Sequence, residues 1–137
     1  MRRECVDKCF QCVGDRAIAL LDQADTALDA CREGVSLSSI YTVLAEAYRA
    51  AADPAAIEEH HQGGITGYLA REVIAEPTTA LKLHCGMALA FNPSCTGYKV
   101  EDTFLMLPVG LDNLTVDPAW PTCEVAGRQR PLWLEQQ

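Results

Sequence analysis

Apolar residues recur at helical spacing through the first third of the chain, and this pattern predicts two helices. In residues 2–33 the apolar positions fall three or four apart, which favours one helix or two nearly continuous ones. The positions expected on the buried face are Val6, Phe10, Val13, Ala17, Leu20, Leu21, Ala24 and Leu28. Most polar positions are expected on the other face, namely Arg16, Asp22, Asp25 and Asp29.

The second predicted helix follows a recognisable stop and start signal. Gly34 is typical of a helix end, and Ser36 is a good N-cap. We expect this helix to run from Leu37 to about Ala52, where Asp53-Pro54 would end it. Its buried face is predicted to contain Ile40, Val43, Leu44, Ala47 and Tyr48.

From residue 60 onward the chain changes to glycines, prolines and short runs of strand-forming residues. The predicted strands, or extended segments, are 65–74, 85–92, 98–107 and 113–116. Helices that come before strands predict an α+β domain, with an antiparallel sheet covered on one face by the two helices. We therefore expect one domain over 1–137, with helices at about 2–52, a sheet at about 60–116 and an extended surface tail at 117–137.

Composition and charge restrict the function. The net charge of -8 disfavours a nucleic-acid partner, because phosphate binding needs clustered Lys and Arg. No apolar run approaches the roughly 20 residues of a membrane-spanning helix, so a cytoplasmic protein with no membrane partner is the expectation. The seven cysteines are an odd number spread along the chain, which favours free thiols in a reducing compartment.

Cys5, Cys9 and Cys12 would share one face of the first helix. A metal or redox site is one interpretation. It is disfavoured because redox CxxC pairs follow a strand, and a structural zinc site needs about four ligands. Ordinary core or surface cysteines are the preferred interpretation.

Three short motifs carry the candidate chemistry. They are residues 60–64 (HHQGG), 86–93 (GMALAFNP) and 98–103 (YKVEDT). A histidine beside paired glycines, followed by polar residues set into two strands, could direct metal ligands into one pocket. On the residues alone the signal is weak, because His61 and Glu101 are two ligands and a catalytic metal centre needs at least three.

The order and spacing of these motifs resemble the C-terminal half of the pita-bread metallopeptidases, a superfamily that includes aminopeptidase P, prolidase, creatinase and methionine aminopeptidase. The resemblance covers about residues 5–121. It implies half of a pita-bread domain, a peptide substrate and a pair of divalent ions such as manganese, cobalt or zinc, held by two aspartates, a histidine and two glutamates. His61 is similar to the ligand histidine, and Glu101 is similar to the last glutamate.

The chain also departs from the superfamily pattern. Asn92 stands where the middle glutamate is expected, and Tyr68 replaces a second histidine seven residues after His61. Tyr68 could donate a hydrogen bond to an oxyanion, but its ordinary pKa near 10 makes it a poor proton shuttle. No upstream segment supplies the two aspartates. We expect the Asn92 amide to hydrogen-bond buried backbone groups rather than bind a metal, and His60 to point to the opposite face.

Three hypotheses follow from these departures. The first is a metallopeptidase-like piece with an incomplete dinuclear site and weak or no peptidase activity alone. The second is an active aminopeptidase completed by a partner chain or by a missing N-terminal half. The third is a non-catalytic binding or interaction module on the same fold. An uncovered sheet edge predicts a homo-oligomer, a complementary half-domain or poor solubility.

Overall fold

The computed structural model describes residues 14–95 and 98–131, and its first element is helix α1 at Gly14–Ala30. The predicted positions Leu20, Leu21, Ala24 and Leu28 are buried. The expectation that Asp25 faces solvent is wrong, because its side chain is only 3% exposed and pairs with arginines from the end of the chain. The predictions for Val6, Phe10 and Val13, and for Cys5, Cys9 and Cys12, lie outside the described residues.

Helix α2 spans Leu37–Ala50 and ends two residues before the predicted boundary. Ser36 is its N-cap, as predicted, and accepts a hydrogen bond from the Ser39 N–H at 3.2 Å. Gly34 has a φ of +85°, the left-handed conformation that lets the chain turn between the helices. The buried face of α2 comprises Leu37, Ile40, Leu44 and Tyr48. Val43 and Ala47 are only partly buried.

The main sheet is formed by five strands, β1 Gly63–Thr66, β2 Val73–Ile74, β3 Ala88–Phe91, β6 Asp102–Leu107 and β7 Gly110–Asn113. These strands are antiparallel and lie in the order β2-β1-β3-β6-β7. Two further strands, β4 Ser94–Cys95 and β5 Tyr98–Lys99, form a separate small hairpin. A single 3-10 turn, Ala56–Glu58, follows α2.

Three predicted strands differ from the structure. The segment 98–107 contains two strands, β5 and β6, which belong to different sheets. The segment 65–74 contains the end of β1, an exposed loop and β2, because the Glu72 carboxylate accepts the Leu69 N–H at 3.1 Å and closes that loop. The predicted strand at 113–116 is instead β7, which begins at Gly110 and ends at Asn113. The presence of strands was therefore predicted better than the residues at which they begin and end.

The core lies between the two helices and one face of the sheet. Buried and partly buried residues alternate along β6, and the inward side chains of the sheet include Leu89, Phe91, Phe104 and Met106. They pack with Leu28, Ile40 and Leu44 of the helices in one cluster. The α+β fold with two helices on an antiparallel sheet is confirmed.

The expected surface tail is wrong for part of its length. Strands β8 Thr122–Val125 and β9 Arg128–Pro131 form a hairpin, and Arg130 is 1% exposed. Two arginines near a chain end suggest a solvent-facing segment, but here acidic side chains of α1 and β6 pair with them. The hairpin is thus tied to the body of the fold.

Among the described residues, no helix combines the length and the apolar character needed to cross a membrane. Cys31 and Cys85 are free thiols, as expected for these two positions. Burial raises the pKa of the Cys31 thiol to about 12.

Candidate functional site

The sheet register brings the three motifs together at one end of β1, β3 and β6. Gly63 pairs with Phe91, and Phe91 pairs with Asp102. The next residues outward are Gln62, Asn92 and Glu101. The Asn92 N–H donates to the Gln62 carbonyl oxygen at 3.1 Å, so the ladder extends to this row. Motifs separated by up to 40 residues therefore meet at one sheet end, as the sequence predicted.

The paired glycines of the first motif are required by close packing of the backbone. A Cβ on Gly63 would lie 2.1 Å from the Ala90 carbonyl oxygen, and one on Gly64 would lie 2.1 Å from the Val73 carbonyl oxygen. Gly63 also has a φ of +106°. Only glycine fits such positions without a shift of the neighbouring strands.

Glu101 lies between two cations. Its Oε1 is 2.5 Å from Arg71 Nη2, and its Oε2 is 2.9 Å from Lys99 Nζ. Partial burial by itself would raise the pKa of Glu101, but the hydrogen bonds and charges of Arg71 and Lys99 lower it overall. The carboxylate is therefore ionised at neutral pH, and both of its oxygens already face a positive charge.

His61 is exposed and lies within the electrostatic reach of the same groups. Its pKa is lowered, first by partial burial and then by the charges of Arg71, His60 and Lys99, while Glu101 acts in the opposite direction. A lowered pKa keeps the imidazole neutral near pH 7. The structure thus brings the two residues predicted as metal ligands, His61 and Glu101, to the same sheet end.

Asn92 occupies the middle of the row and is 2% exposed. Its Oδ1 is buried and has no hydrogen-bond partner among the described residues. The expectation that this amide satisfies buried backbone groups is therefore wrong for the carbonyl oxygen. The backbone N–H of Asn92 is satisfied by Gln62, so only the side chain is left with an unpaired acceptor.

Tyr68, predicted as a hydrogen-bond donor to an oxyanion, lies in the loop between β1 and β2. Its side chain is fully exposed, and so in large part is that of the next residue, Leu69. The described structure therefore gives Tyr68 no enclosing pocket. Its proposed catalytic role remains a prediction.

His60, which was expected to point to the opposite face, takes part in a polar network with Ser94, Gln62 and Tyr48. Its Nε2 contacts Ser94 Oγ, and its Nδ1 lies 2.6 Å from the His61 carbonyl oxygen. The Tyr48 hydroxyl lies 2.8 Å from Gln62 Oε1 and accepts the Ser94 N–H at 2.8 Å. Sequence reasoning missed this network because Tyr48 and Ser94 are 46 residues apart.

A second cluster missed by sequence reasoning lies next to Glu101. Asp102 Oδ2 is 2.7 Å from Arg130 Nε, and Asp25 Oδ1 is 3.1 Å from Arg130 Nη1. Burial raises the pKa of both carboxyls, while the Arg130 charge opposes the rise. The available signal was the period-two pattern of β6, which places Asp102 on the same face as Phe104 and Met106.

Within 14–95 and 98–131, no group of three or more His, Cys, Asp or Glu side chains is arranged to hold a metal ion. Asp25 lies on α1 and forms ion pairs with Arg128 and Arg130, so it does not supply a ligand beside Glu101. Two cations occupy the Glu101 oxygens that would bridge the ions.

Neither a family model nor a curated protein matches the chain. Solved structures do match its fold. Dipeptidase PepE from Mycobacterium ulcerans matches with a TM-score of 0.67 and 22% identity over 77% of this chain and 30% of that one. The prolidase from Pyrococcus furiosus matches with a TM-score of 0.66 and 18% identity over 75% of this chain and 32% of that one.

The Xaa-Pro dipeptidase from Bacillus anthracis also matches, with a TM-score of 0.65 and 15% identity over 76% of this chain and 31% of that one. At these identities the likeness shows the fold alone. The described α+β arrangement corresponds to part of the pita-bread prolidase chains. This chain spans about a third or less of the length of these three structures.

Proposed function

We propose that this chain is a metallopeptidase-like domain, of the prolidase and aminopeptidase P kind, with an incomplete metal site and weak or no peptidase activity by itself. The observation that carries the proposal is the pairing of Glu101 with Arg71 and Lys99, at 2.5 and 2.9 Å. These cations neutralise the one carboxylate that matches a ligand glutamate. The fold likeness to prolidases supports the peptidase-like assignment.

The chemistry explains why activity should be low. Hydrolysis by two metal ions needs bridging carboxylates that hold both ions, so that one activates water while the other polarises the carbonyl. Of the five ligands that the resemblance implies, His61 and Glu101 are present. Asn92 offers a neutral amide oxygen in place of a carboxylate, and a neutral donor balances none of the charge of the ions.

The test is a peptidase assay of the purified chain with added manganese, cobalt or zinc, on short peptides that include ones with proline second. We expect no turnover above that of the His61→Ala variant. Turnover that requires added metal and that His61→Ala abolishes would contradict the proposal. The Lys82→Gln variant, at an exposed lysine away from the site, is the matched control.

A second candidate is an active aminopeptidase completed by a complementary chain. Its support is that the chain covers about 30% of the matched dipeptidase and prolidase chains, and that β2 and β7 are the edge strands of its sheet. Co-expression with the product of any adjacent reading frame that encodes two spaced aspartates tests it. Activity that appears only in the co-purified complex would favour this candidate over the first.

Sedimentation of the chain alone separates two versions of that assembly. A homodimer would bring two copies of His61 and Glu101 but would not add the missing aspartates. A complementary half-domain would add them. Cytoplasmic location remains a prediction, and fractionation of cells that produce the chain checks it.

A further inference from the structure

We propose that the cluster formed by Arg71, Lys99 and Glu101 binds the carboxylate group of a small organic acid or peptide, at the place where the resemblance puts a divalent metal ion. The proposal goes beyond the proposed function, because it assigns a ligand class and does not require that any peptide be cleaved. The resemblance implies a metal ion at this place, but the side chains of Arg71 and Lys99 there carry positive charge.

The cluster carries an excess positive charge. Arg71 and Lys99 contribute two positive charges and Glu101 one negative charge, in a protein whose net charge is -8. Glu72, the nearest acid in sequence to Arg71, turns into its own loop, where its Oε1 accepts the Leu69 N–H at 3.1 Å. A local positive site in an acidic protein is suited to an anion rather than to a metal ion.

Arg71 and Lys99 have different roles in the cluster. Arg71 is fixed, because its side chain is 11% exposed and its Nη1 donates to the Ala70 carbonyl oxygen at 2.5 Å. Lys99 is 53% exposed, and an ammonium group has three N–H donors, of which Glu101 takes one. Lys99 can therefore turn its remaining donors toward a ligand, while Arg71 supplies a charge that does not move.

A divalent cation is disfavoured at the same place. It would have to reach a carboxylate whose two oxygens each already face a cation, and it would meet two like charges at short range. The adjacent position of the row offers the neutral Asn92 amide rather than a second carboxylate. The paired Glu101 carboxylate and the neutral Asn92 amide therefore leave the charge of a metal ion unbalanced.

The single excess positive charge of the cluster favours an anion with one negative charge. One carboxylate balances one excess positive charge, whereas a phosphate dianion would leave a negative site. We therefore infer a monocarboxylate as the ligand class.

The experiment is a calorimetric titration of the full chain with N-acetylalanine, and with N-acetylalanine amide as the uncharged match. We expect the acid to bind and the amide not to bind. Lys99→Gln should weaken binding by roughly two- to fivefold, the range of an exposed ion pair. Lys82→Gln should leave binding unchanged, since Lys82 lies outside the cluster. Inorganic phosphate should bind more weakly than N-acetylalanine.

Glu101→Gln is the decisive variant. Because it removes the internal carboxylate that competes for Arg71 and Lys99, it should strengthen binding of N-acetylalanine. A metal site predicts the opposite behaviour, namely manganese binding that Glu101→Gln abolishes. Circular dichroism and thermal unfolding of each variant show that it is folded before it is titrated.

Four outcomes would overturn the proposal. They are equal binding of the acid and the amide, no binding of the acid, weaker binding by folded Glu101→Gln, and manganese binding that depends on Glu101. Phosphate binding tighter than that of N-acetylalanine would overturn the choice of a carboxylate. None of these results depends on turnover, so they are separate from the peptidase assay.

Discussion

Arg130 Nε lies 2.7 Å from Asp102 Oδ2, and each of these two side chains is 2% exposed. The same guanidinium group reaches Asp25 Oδ1 through its Nη1 at 3.1 Å. One buried arginine therefore joins helix α1, strand β6 and the β8–β9 hairpin. The contact also holds Asp102 in place directly beside Glu101.

Replacement of Arg130 should destabilise the fold strongly. Arg130→Met removes the cation and leaves Asp25 and Asp102 buried without it, and such a break of a buried pair costs about 3–5 kcal/mol. Urea unfolding at neutral pH measures the loss. The matched variant is Arg128→Met, at an arginine that is 20% exposed, and we expect it to cost clearly less because water screens its pairs. Equal unfolding midpoints for both variants would contradict this prediction.

The buried carboxyl group of Asp102 should make the stability of the fold depend on pH. Burial raises its pKa above the ordinary 3.8, although Arg130 and Thr115 act in the opposite direction. A raised pKa means that the folded chain binds the proton more tightly than the unfolded chain. The stability that Asp102 contributes is therefore present below pH 3.8 and is lost as pH rises through its pKa in the folded state.

Asp102→Asn isolates this contribution. We expect the free energy of unfolding of the wild type, relative to that of Asp102→Asn, to fall as pH rises above 3.8. Urea unfolding of both proteins at several pH values gives the difference. If the wild type instead gains stability relative to the variant over that window, then Arg130 outweighs burial.

The hydroxyl of Tyr48 should contribute measurably to stability. It lies 2.8 Å from Gln62 Oε1 and 3.0 Å from the Ser94 carbonyl oxygen, and it accepts the Ser94 N–H. Tyr48→Phe removes these hydrogen bonds from buried groups, which costs about 1–3 kcal/mol. Tyr41→Phe is the control, because its hydroxyl makes an exposed contact of 3.5 Å with Glu58. Thermal unfolding compares the two, and a larger effect at Tyr41 would count against the prediction.

Gly63 should not tolerate a side chain. Its φ of +106° and the 2.1 Å approach of a Cβ to the Ala90 carbonyl oxygen mean that Gly63→Ala must separate β1 from β3. We expect a loss of at least about 2 kcal/mol, as for other strained backbone sites. Gly67→Ala, where the nearest atom is the movable Glu72 side chain at 3.1 Å, should cost much less. Denaturant unfolding of the two variants checks the difference.

Several features of the fold followed from local sequence because their causes are local. The apolar spacing from Leu20 to Leu28 predicted a helix face, and Ser36 predicted the start of α2. The change to short strand-forming runs after residue 60 predicted the antiparallel sheet. Strand ends such as Thr66 were less well predicted, because they depend on loop hydrogen bonds like that between Leu69 and Glu72.

The chemistry of the site depended on contacts between distant residues. The sequence by itself indicated that His61, Asn92 and Glu101 belong to motifs of one sheet end, since each motif sets polar residues beside glycines or strand-forming residues. Only the tertiary structure decided that Arg71, 30 residues from Glu101, neutralises its carboxylate. It also decided that Asp25 and Arg130 are buried together across 105 residues. An ion pair forms where folding brings two charges together, and nothing in the local sequence of either residue specifies its partner.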